Sequence, residues 1–253
     1  MIDKLNFNIL IKVQFIYGGE IIMNREKRIA PEIVTNLRKD LINVPNVIRN
    51  CSGIRIYGKR IKSICYSTDI AIIRNIDADA VIAVYPFTPH PTITKAIIEA
   101  ADVPVFSGVG GGLTQGNRSV NMSMFAEANG SLGVVVNAPT PKETIYDISQ
   151  TIDIPIIGTI TSEFTDIDEK IAAGVQILNV SGGKHTAHIV RMIRERYPLF
   201  PIMATGGPTE ESIMETIEAG ANAITYTPPS NGMLFSKKMQ NYRAIEREDS
   251  NED

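Results

Sequence analysis

The stretch Phe200–Ser230 reads FPIMATGGPTEESIMETIEAGANAITYTPPS, and its pattern decides the fold. An apolar run, Phe200 to Ala204, enters a Thr205-Gly206-Gly207 turn; an amphipathic segment follows, and a second apolar run spans Ala221 to Tyr226. The middle segment carries helix signals at both ends. Thr209 stands at the N-cap, Glu210 and Glu211 place carboxylates in the first turn, Ile213 and Ile217 share a face, and Gly220 suits the left-handed position after the last turn. Two apolar strands with only a helix between them run parallel, and a parallel sheet needs helices over both faces or around a barrel.

The same unit repeats backwards along the chain. Apolar runs begin near Ala80, Val103, Leu132, Ile154, Val175, Phe200 and Ala221, each followed by a polar or glycine turn and a helical pattern, at roughly 20 to 30 residue intervals. With Lys62 to Tyr66 as the first strand, the count is about eight. Several helices end alike, at Ala128-Asn129-Gly130, Ala172-Ala173-Gly174 and Ala219-Gly220, whereas Ala100-Ala101-Asp102 lacks the glycine. Strand count and the right-handed crossover rule predict an α/β fold, a closed (β/α)8 TIM barrel, with an open doubly wound sheet as the alternative.

Ahead of the first strand, Pro31 to Ile42 is expected to be a helix with Ile33, Val34, Leu37 and Leu41 on one face, placed to cap the barrel's lower end. Ile54 to Tyr57 and Arg60 to Tyr66 flank Gly58-Lys59, the spacing of a two-residue hairpin. Met1 to Met23 reads as neither a membrane span nor a signal peptide. Gly18-Gly19-Glu20 can be encoded by a purine run resembling a ribosome-binding site, so Met23 is read as the natural start and Met1 to Ile22 as translated leader. That leaves 24–245 as one barrel domain, and the wholly polar Glu246 to Asp253 as a disordered tail.

With 253 residues, 43% hydrophobic and 21% charged, the chain has the composition of a soluble globular protein. A net charge of -3 and pI near 5.7 supply no field for a nucleic-acid backbone. Cys51 and Cys65 form neither a C-x-x-C pair nor a framework, which implies reduced thiols and a cytoplasmic setting. The expected partner is a small-molecule anionic metabolite, with no nucleic acid and no membrane; a homo-oligomer is left open.

In such a barrel the working face is built from the residues just after each strand. Substrate or anion contacts are assigned to Gly110, Gly111, Gly112, Asn137, Asn179, Ser181, Gly182, Gly206, Gly207, Thr227 and Ser230. Glycine turns beside helix N-termini can surround a phosphate or carboxylate with backbone N–H groups. The competing reading of Gly206-Gly207 is a tight turn and nothing more. The catalytic candidates are Glu163, Lys184, His185 and His90. Three of them have a plain alternative: Glu163 as a solvated loop carboxylate, Lys184 as a solvated loop lysine, and His90, between Pro89 and Pro91, as a satisfied turn histidine. His185 and His188 are three apart, but spacing places no third ligand, so no metal is expected, and no cofactor. Ser107 to Leu113 fails the dinucleotide fingerprint because Leu113 stands where its last glycine belongs, and no Walker or G-x-S-x-G motif is present.

Ala204 to Glu211, an apolar run, a small residue, Gly-Gly, then Thr and Glu, resembles the seventh strand-loop-helix of the phosphate-binding barrels, which include inosine monophosphate dehydrogenase, thiazole synthase and the N-acetylmannosamine-6-phosphate epimerases. That resemblance implies a phosphate cup at Gly206-Gly207. Two departures stand out. The loop after strand six has no cysteine, as the dehydrogenase would require, and Tyr226-Thr227-Pro228-Pro229-Ser230 replaces the glycine that usually completes the cup. The run Pro86 to Ser230, with PFTPHP, SGVGGG, NAPT, NVSGG, ATGGPTEES and TYTPPS, also resembles a bacterial barrel family of undefined activity sometimes labelled hydrolase.

The resemblance implies isomerase or lyase chemistry on a phosphorylated or carboxylated metabolite. Two alternatives stay open: a hydrolase using Glu163 or a His185-bound metal to activate water, and a non-catalytic metabolite-sensing barrel. Several barrel aldolases carry a Schiff-base lysine in strand six, whereas Lys184 lies beyond Gly182-Gly183, so it is expected to bind the substrate's charge more than to attack a carbonyl.

Overall fold

The computed structural model describes residues 31, 33–37 and 39–249. The chain divides into a unit ending at Lys39 and a unit beginning at Asp40. The leader assignment, Met1 to Ile22, lies outside the described residues.

The helix expected over Pro31 to Ile42 is not formed. Its described residues are irregular with a turn at Asn36-Leu37, and Ile42 forms a parallel bridge with Ile76. The reason is physical: a short amphipathic segment gains its helicity by packing its apolar face, and Ile33 and Leu37 are exposed. A 3-10 turn, Asn46–Asn50, follows instead.

The hairpin is present, one residue out of the expected register. Strands β1 (Ile54–Ile56) and β2 (Lys59–Ile61) pair antiparallel with Ile56 opposite Lys59, so the turn residues are Tyr57 and Gly58. Both have positive φ, 46° and 82°, the type I′ geometry that matches strand twist. The hairpin takes the place expected of the helix, because Ile54, Ile56 and Ile61 join the core inside the barrel. The chain then passes from hairpin to barrel across Asp79, whose carboxylate accepts the Lys62 and Ser63 N–H groups at 2.8 and 2.9 Å.

Eight parallel strands follow: β3 (Ser63–Tyr66), β4 (Ala80–Ala83), β5 (Val105–Gly110), β6 (Gly133–Val136), β7 (Ile156–Ile160), β8 (Ile177–Val180), β9 (Ile202–Thr205) and β10 (Ala223–Tyr226). They close into a barrel, with β10 paired to β3, so the open-sheet alternative falls. Helices α1 (Ile70–Ile73), α2 (Pro91–Ala100), α3 (Asn117–Ala128), α4 (Lys142–Ser149), α5 (Ile167–Ala172), α6 (Thr186–Arg196) and α7 (Glu210–Glu218) alternate with them, and α8 (Asn231–Asp249) ends the described chain. α7 forms as read: Thr209 and Ser212 make a reciprocal capping box, and Gly220 has φ 112°. α8 continues through Asp249, into the stretch read as tail.

Most ladders start two residues after the apolar run does. Pro104, Pro155 and Pro201 stand directly before Val105, Ile156 and Ile202, and a residue without an N–H cannot donate to the ladder. Their carbonyls still accept, from Val81, Val134 and Leu178. Side chains then alternate. Ile64, Ile82, Phe106, Val135, Ile157, Ile177 and Met203 fill the interior, while Val81, Val105, Val134, Ile156, Leu178 and Ile202 pack under the helices. Gly133 makes room for Phe106, since a Cβ there would sit 3.2 Å from its ring. Among the described residues no helix is long and apolar enough to cross a membrane.

Where the chain enters β9 and β10, one side chain ties the loops together. Arg194, near the end of α6, donates to the carbonyls of Tyr197, Pro198, Phe200 and Gly220 and to Asn222 Oδ1, at 2.8–3.2 Å. Asn222 Oδ1 also accepts the Ile202 N–H at 3.0 Å. Only a planar five-donor fork satisfies such a set. Arg194→Met is expected to lower unfolding free energy by about 3 kcal/mol in urea titrations, and Arg194→Lys to recover less than half of that.

Candidate functional site

Because every barrel strand is parallel, all the candidate loops emerge at one end. The interior changes character just below them. On four neighbouring strands the next inward position after the apolar filler is polar: Thr159 after Ile157, Asn179 after Ile177, Thr205 after Met203, Thr225 after Ala223. Thr159, Asn179 and Thr225 are buried. Asn179 Nδ2 lies 3.5 Å from Thr159 Oγ1, and Thr205 Oγ1 donates to the Val180 carbonyl at 3.1 Å. Among the described residues Thr225 Oγ1 is buried with no hydrogen-bond partner, a state that costs about 1–3 kcal/mol.

The wall has a second property: none of the eight barrel strands contains a charged residue. Any ionic contact to a ligand therefore comes from the loops. The thiols are inert by the same burial, which pushes Cys51 up to about 11 and Cys65 up to about 12, leaving both protonated at neutral pH.

The candidate glycines divide into those occupied by packing and those open to a ligand. A Cβ on Gly110 would meet the Thr114 carbonyl at 2.7 Å, and one on Gly111 would collide with Asn137. The Gly111 N–H is spent on the Thr114 carbonyl at 2.8 Å, and the Asn137 N–H on the Gly110 carbonyl at 3.0 Å. Gly110, Gly111 and Asn137 line a crevice of only about 20 Å³ with Tyr85 and Phe87. Gly112 is open on its Cα side, and its carbonyl accepts from Gln115 at 2.6 Å.

On the other arc, Ser181 N–H donates to Ile160 O at 2.8 Å and Gly182 N–H to Thr186 Oγ1 at 3.1 Å. Gly206 is a packing glycine: a Cβ there would sit 2.7 Å from Ile213 and 2.8 Å from Ile224. Gly207, with φ 81°, makes no N–H hydrogen bond among the described residues. Thr227 is exposed, while Ser230 Oγ accepts the Met233 N–H at 3.3 Å and so starts α8.

The catalytic candidates divide too. His90 is the N-cap of α2: its Nδ1 accepts the Thr92 N–H at 3.2 Å, and its own N–H donates to Tyr85 Oη at 2.8 Å. Glu163 pairs with His188 Nε2 at 3.1 Å, both side chains being exposed. His188 thus engages Glu163, and among the described residues no three His, Cys, Asp or Glu side chains gather as a metal site. Lys184 and His185 are exposed in the 3-10 turn Gly183–His185, and Lys184 has no bonding partner among the described residues.

Sequence reading passed over two residues. Thr159 was legible as the position two after Ile157 on an alternating strand. Lys170 is the only charged side chain buried among the described residues, its Nζ donating to Ala138 O at 3.1 Å and its pKa lowered by burial. Its signal was a lysine three after Ile167 on the inner face of α5.

The architecture is that of a TIM barrel. No family model matches the chain. A curated protein of Shouchella clausii strain KSM-K16, provisionally described as an N-acetylmannosamine-6-phosphate 2-epimerase, is 30% identical over 123 residues, covering 42% of this chain and 52% of that protein. The chain thus spans about half the length of the curated relative it matches. Among solved structures, 2,3-dimethylmalate lyase of the PEP mutase/isocitrate lyase superfamily superposes with TM-score 0.57 at 13% identity, covering 79% of this chain and 85% of that one. Phosphoenolpyruvate phosphomutase from Streptomyces platensis subsp. rosaceus gives 0.55 at 14% identity, covering 79% and 84%. At these identities the likeness is one of fold.

The cap geometry makes the role of His90 testable. His90→Asn, which keeps a capping acceptor, is expected to leave stability within error, and His90→Ala to cost about 1 kcal/mol by chemical denaturation.

Proposed function

We propose that this chain is a cytoplasmic enzyme that holds a small phosphorylated or carboxylated metabolite at the mouth of the barrel and performs isomerase or lyase chemistry on it. The observation that carries the reading is the polar floor of Thr159, Asn179, Thr205 and Thr225, four side chains placed where apolar ones would stabilise the barrel better. Above it, on the loops after β8, β9 and β10, stand Lys184, the Gly207 N–H and Thr227. A cation on a loop and a backbone donor beside the start of α7 suit an anion. The similarity to an epimerase sequence supports isomerase chemistry, and the barrel likeness to a lyase and a mutase is compatible with it. The free, buried thiols fit a reducing compartment.

With His90 held as a cap and Glu163 paired to His188, proton transfer falls to Lys184 or His185, and charge neutralisation to Lys184. An uncharged wall strengthens whatever field these loop groups set up, because little in the interior competes with it.

Thermal melts with a panel of phosphorylated and carboxylated metabolites test the site. At least one compound is expected to raise Tm further as its excess grows, and Gly207→Asp to abolish the shift. Lys184→Ala is expected to weaken that ligand about tenfold, with Lys184→Arg keeping most of the affinity. Incubation with N-acetylmannosamine 6-phosphate in deuterated water tests the epimerase reading directly through label at C2. A panel that gives no shift, or borohydride trapping of substrate on Lys184, would overturn the assignment.

A further inference from the structure

Resting on that reading of the mouth, we infer that Thr225 and Thr205 are a specificity device selecting a ligand with a free hydroxyl. The argument starts from hydrogen-bond inventory. Thr205 Oγ1 commits its proton to the Val180 carbonyl at 3.1 Å, so toward a ligand it can only accept. Thr225 Oγ1 is buried without a partner among the described residues and can both donate and accept. The two are register partners on β9 and β10 and point to the same face, each two residues beyond an interior side chain, Met203 and Ala223. A group satisfying both must donate to Thr205; toward Thr225 it can either accept or donate. A hydroxyl does so, whereas a carboxylate or ketone oxygen only accepts and leaves Thr205 unanswered.

Charge points the same way. With no charged residue in any barrel strand, a carboxylate or phosphate lowered to the floor would be an unpaired buried anion. The ligand's hydroxyl end therefore goes down to the threonines and its anionic end stays at the rim, beside Lys184 and Gly207. The unsatisfied Thr225 hydroxyl is a loss to the folded barrel that a bound ligand repairs, so removing it should move stability and binding in opposite directions.

The test uses Thr225→Val, close in shape but without the hydroxyl, and Thr225→Ser, which keeps it. The probes are N-acetylmannosamine 6-phosphate, 3-phosphoglycerate and 6-phosphogluconate, which carry alcohol hydroxyls on carbon, against phosphoenolpyruvate and inorganic phosphate, which carry none. Calorimetric titration and thermal melts of the full chain are the readouts. Wild type is expected to bind at least one hydroxylated probe more tightly than phosphoenolpyruvate. Thr225→Val should raise the ligand-free Tm by about 3 °C and weaken the hydroxylated probe about tenfold or more. It should leave phosphoenolpyruvate and inorganic phosphate unchanged, with Thr225→Ser near wild type. A Thr225→Val protein that melts lower, or that binds the hydroxylated probes as wild type does, overturns the inference. So does a wild type that prefers phosphoenolpyruvate, although the anion site then stands; silence from every probe, inorganic phosphate included, removes both.

Discussion

Everything in this protein depends on one short seam, the pairing of β10 with β3. Ile224, Thr225 and Tyr226 lie against Ser63, Ile64 and Cys65, and the Ile224 N–H reaches the Lys62 carbonyl at 2.9 Å. Without it the sheet would have two edges and no inside. With it, short strands of mostly four to six residues enclose an apolar filling, and every strand delivers its following loop to the same end. The seam also determines what the hairpin is for. β1 and β2 plug the lower interior with Ile54, Ile56 and Ile61 because the closed barrel leaves them a cavity of the right kind.

The repeating pattern of apolar run, turn and helix was legible because a strand buried on both faces needs an unbroken apolar sequence. Strand starts were less so. Val103, Ile154 and Phe200 are apolar and pack on the core without joining a ladder, and the prolines after them mark where the ladder can begin. The helix over Pro31 to Ile42 failed because periodicity reports only that an apolar face could form, not that a surface exists to receive it. The hairpin slipped by one because Tyr57 accepts a positive φ, which residue type alone would not suggest.

The site was harder, for a reason visible in its glycines. In sequence Gly110, Gly182, Gly206 and Gly207 look alike. In the fold all four are small because Ser119, Ile189, Ile213 and Ser212 press against them in turn, contacts made by residues further along the chain, and only Gly207 of the four also has a positive φ. Close approach is a tertiary fact. The threonine floor was legible in principle, since each member sits two places after a buried apolar residue on the same strand, and Asn179 was picked out by position alone. His90, Glu163 and His188 have the right chemistry for catalysis, and what residue type does not reveal is that the fold also engages them in a cap and an ion pair.

An uncharged wall has a consequence for how such a protein can change over time. Its strands contribute shape and hydroxyl groups, and they contribute no charged side chain, so charge toward a ligand is borrowed from outside them. The Arg194 knot that steadies the structure lies where the chain enters β9 and β10, at the far end of those strands from the mouth. Stability and reactivity are therefore inherited through separate parts of the chain. A descendant could acquire a new reaction by exchanging a loop of a few residues, with the barrel beneath it neither helping nor objecting.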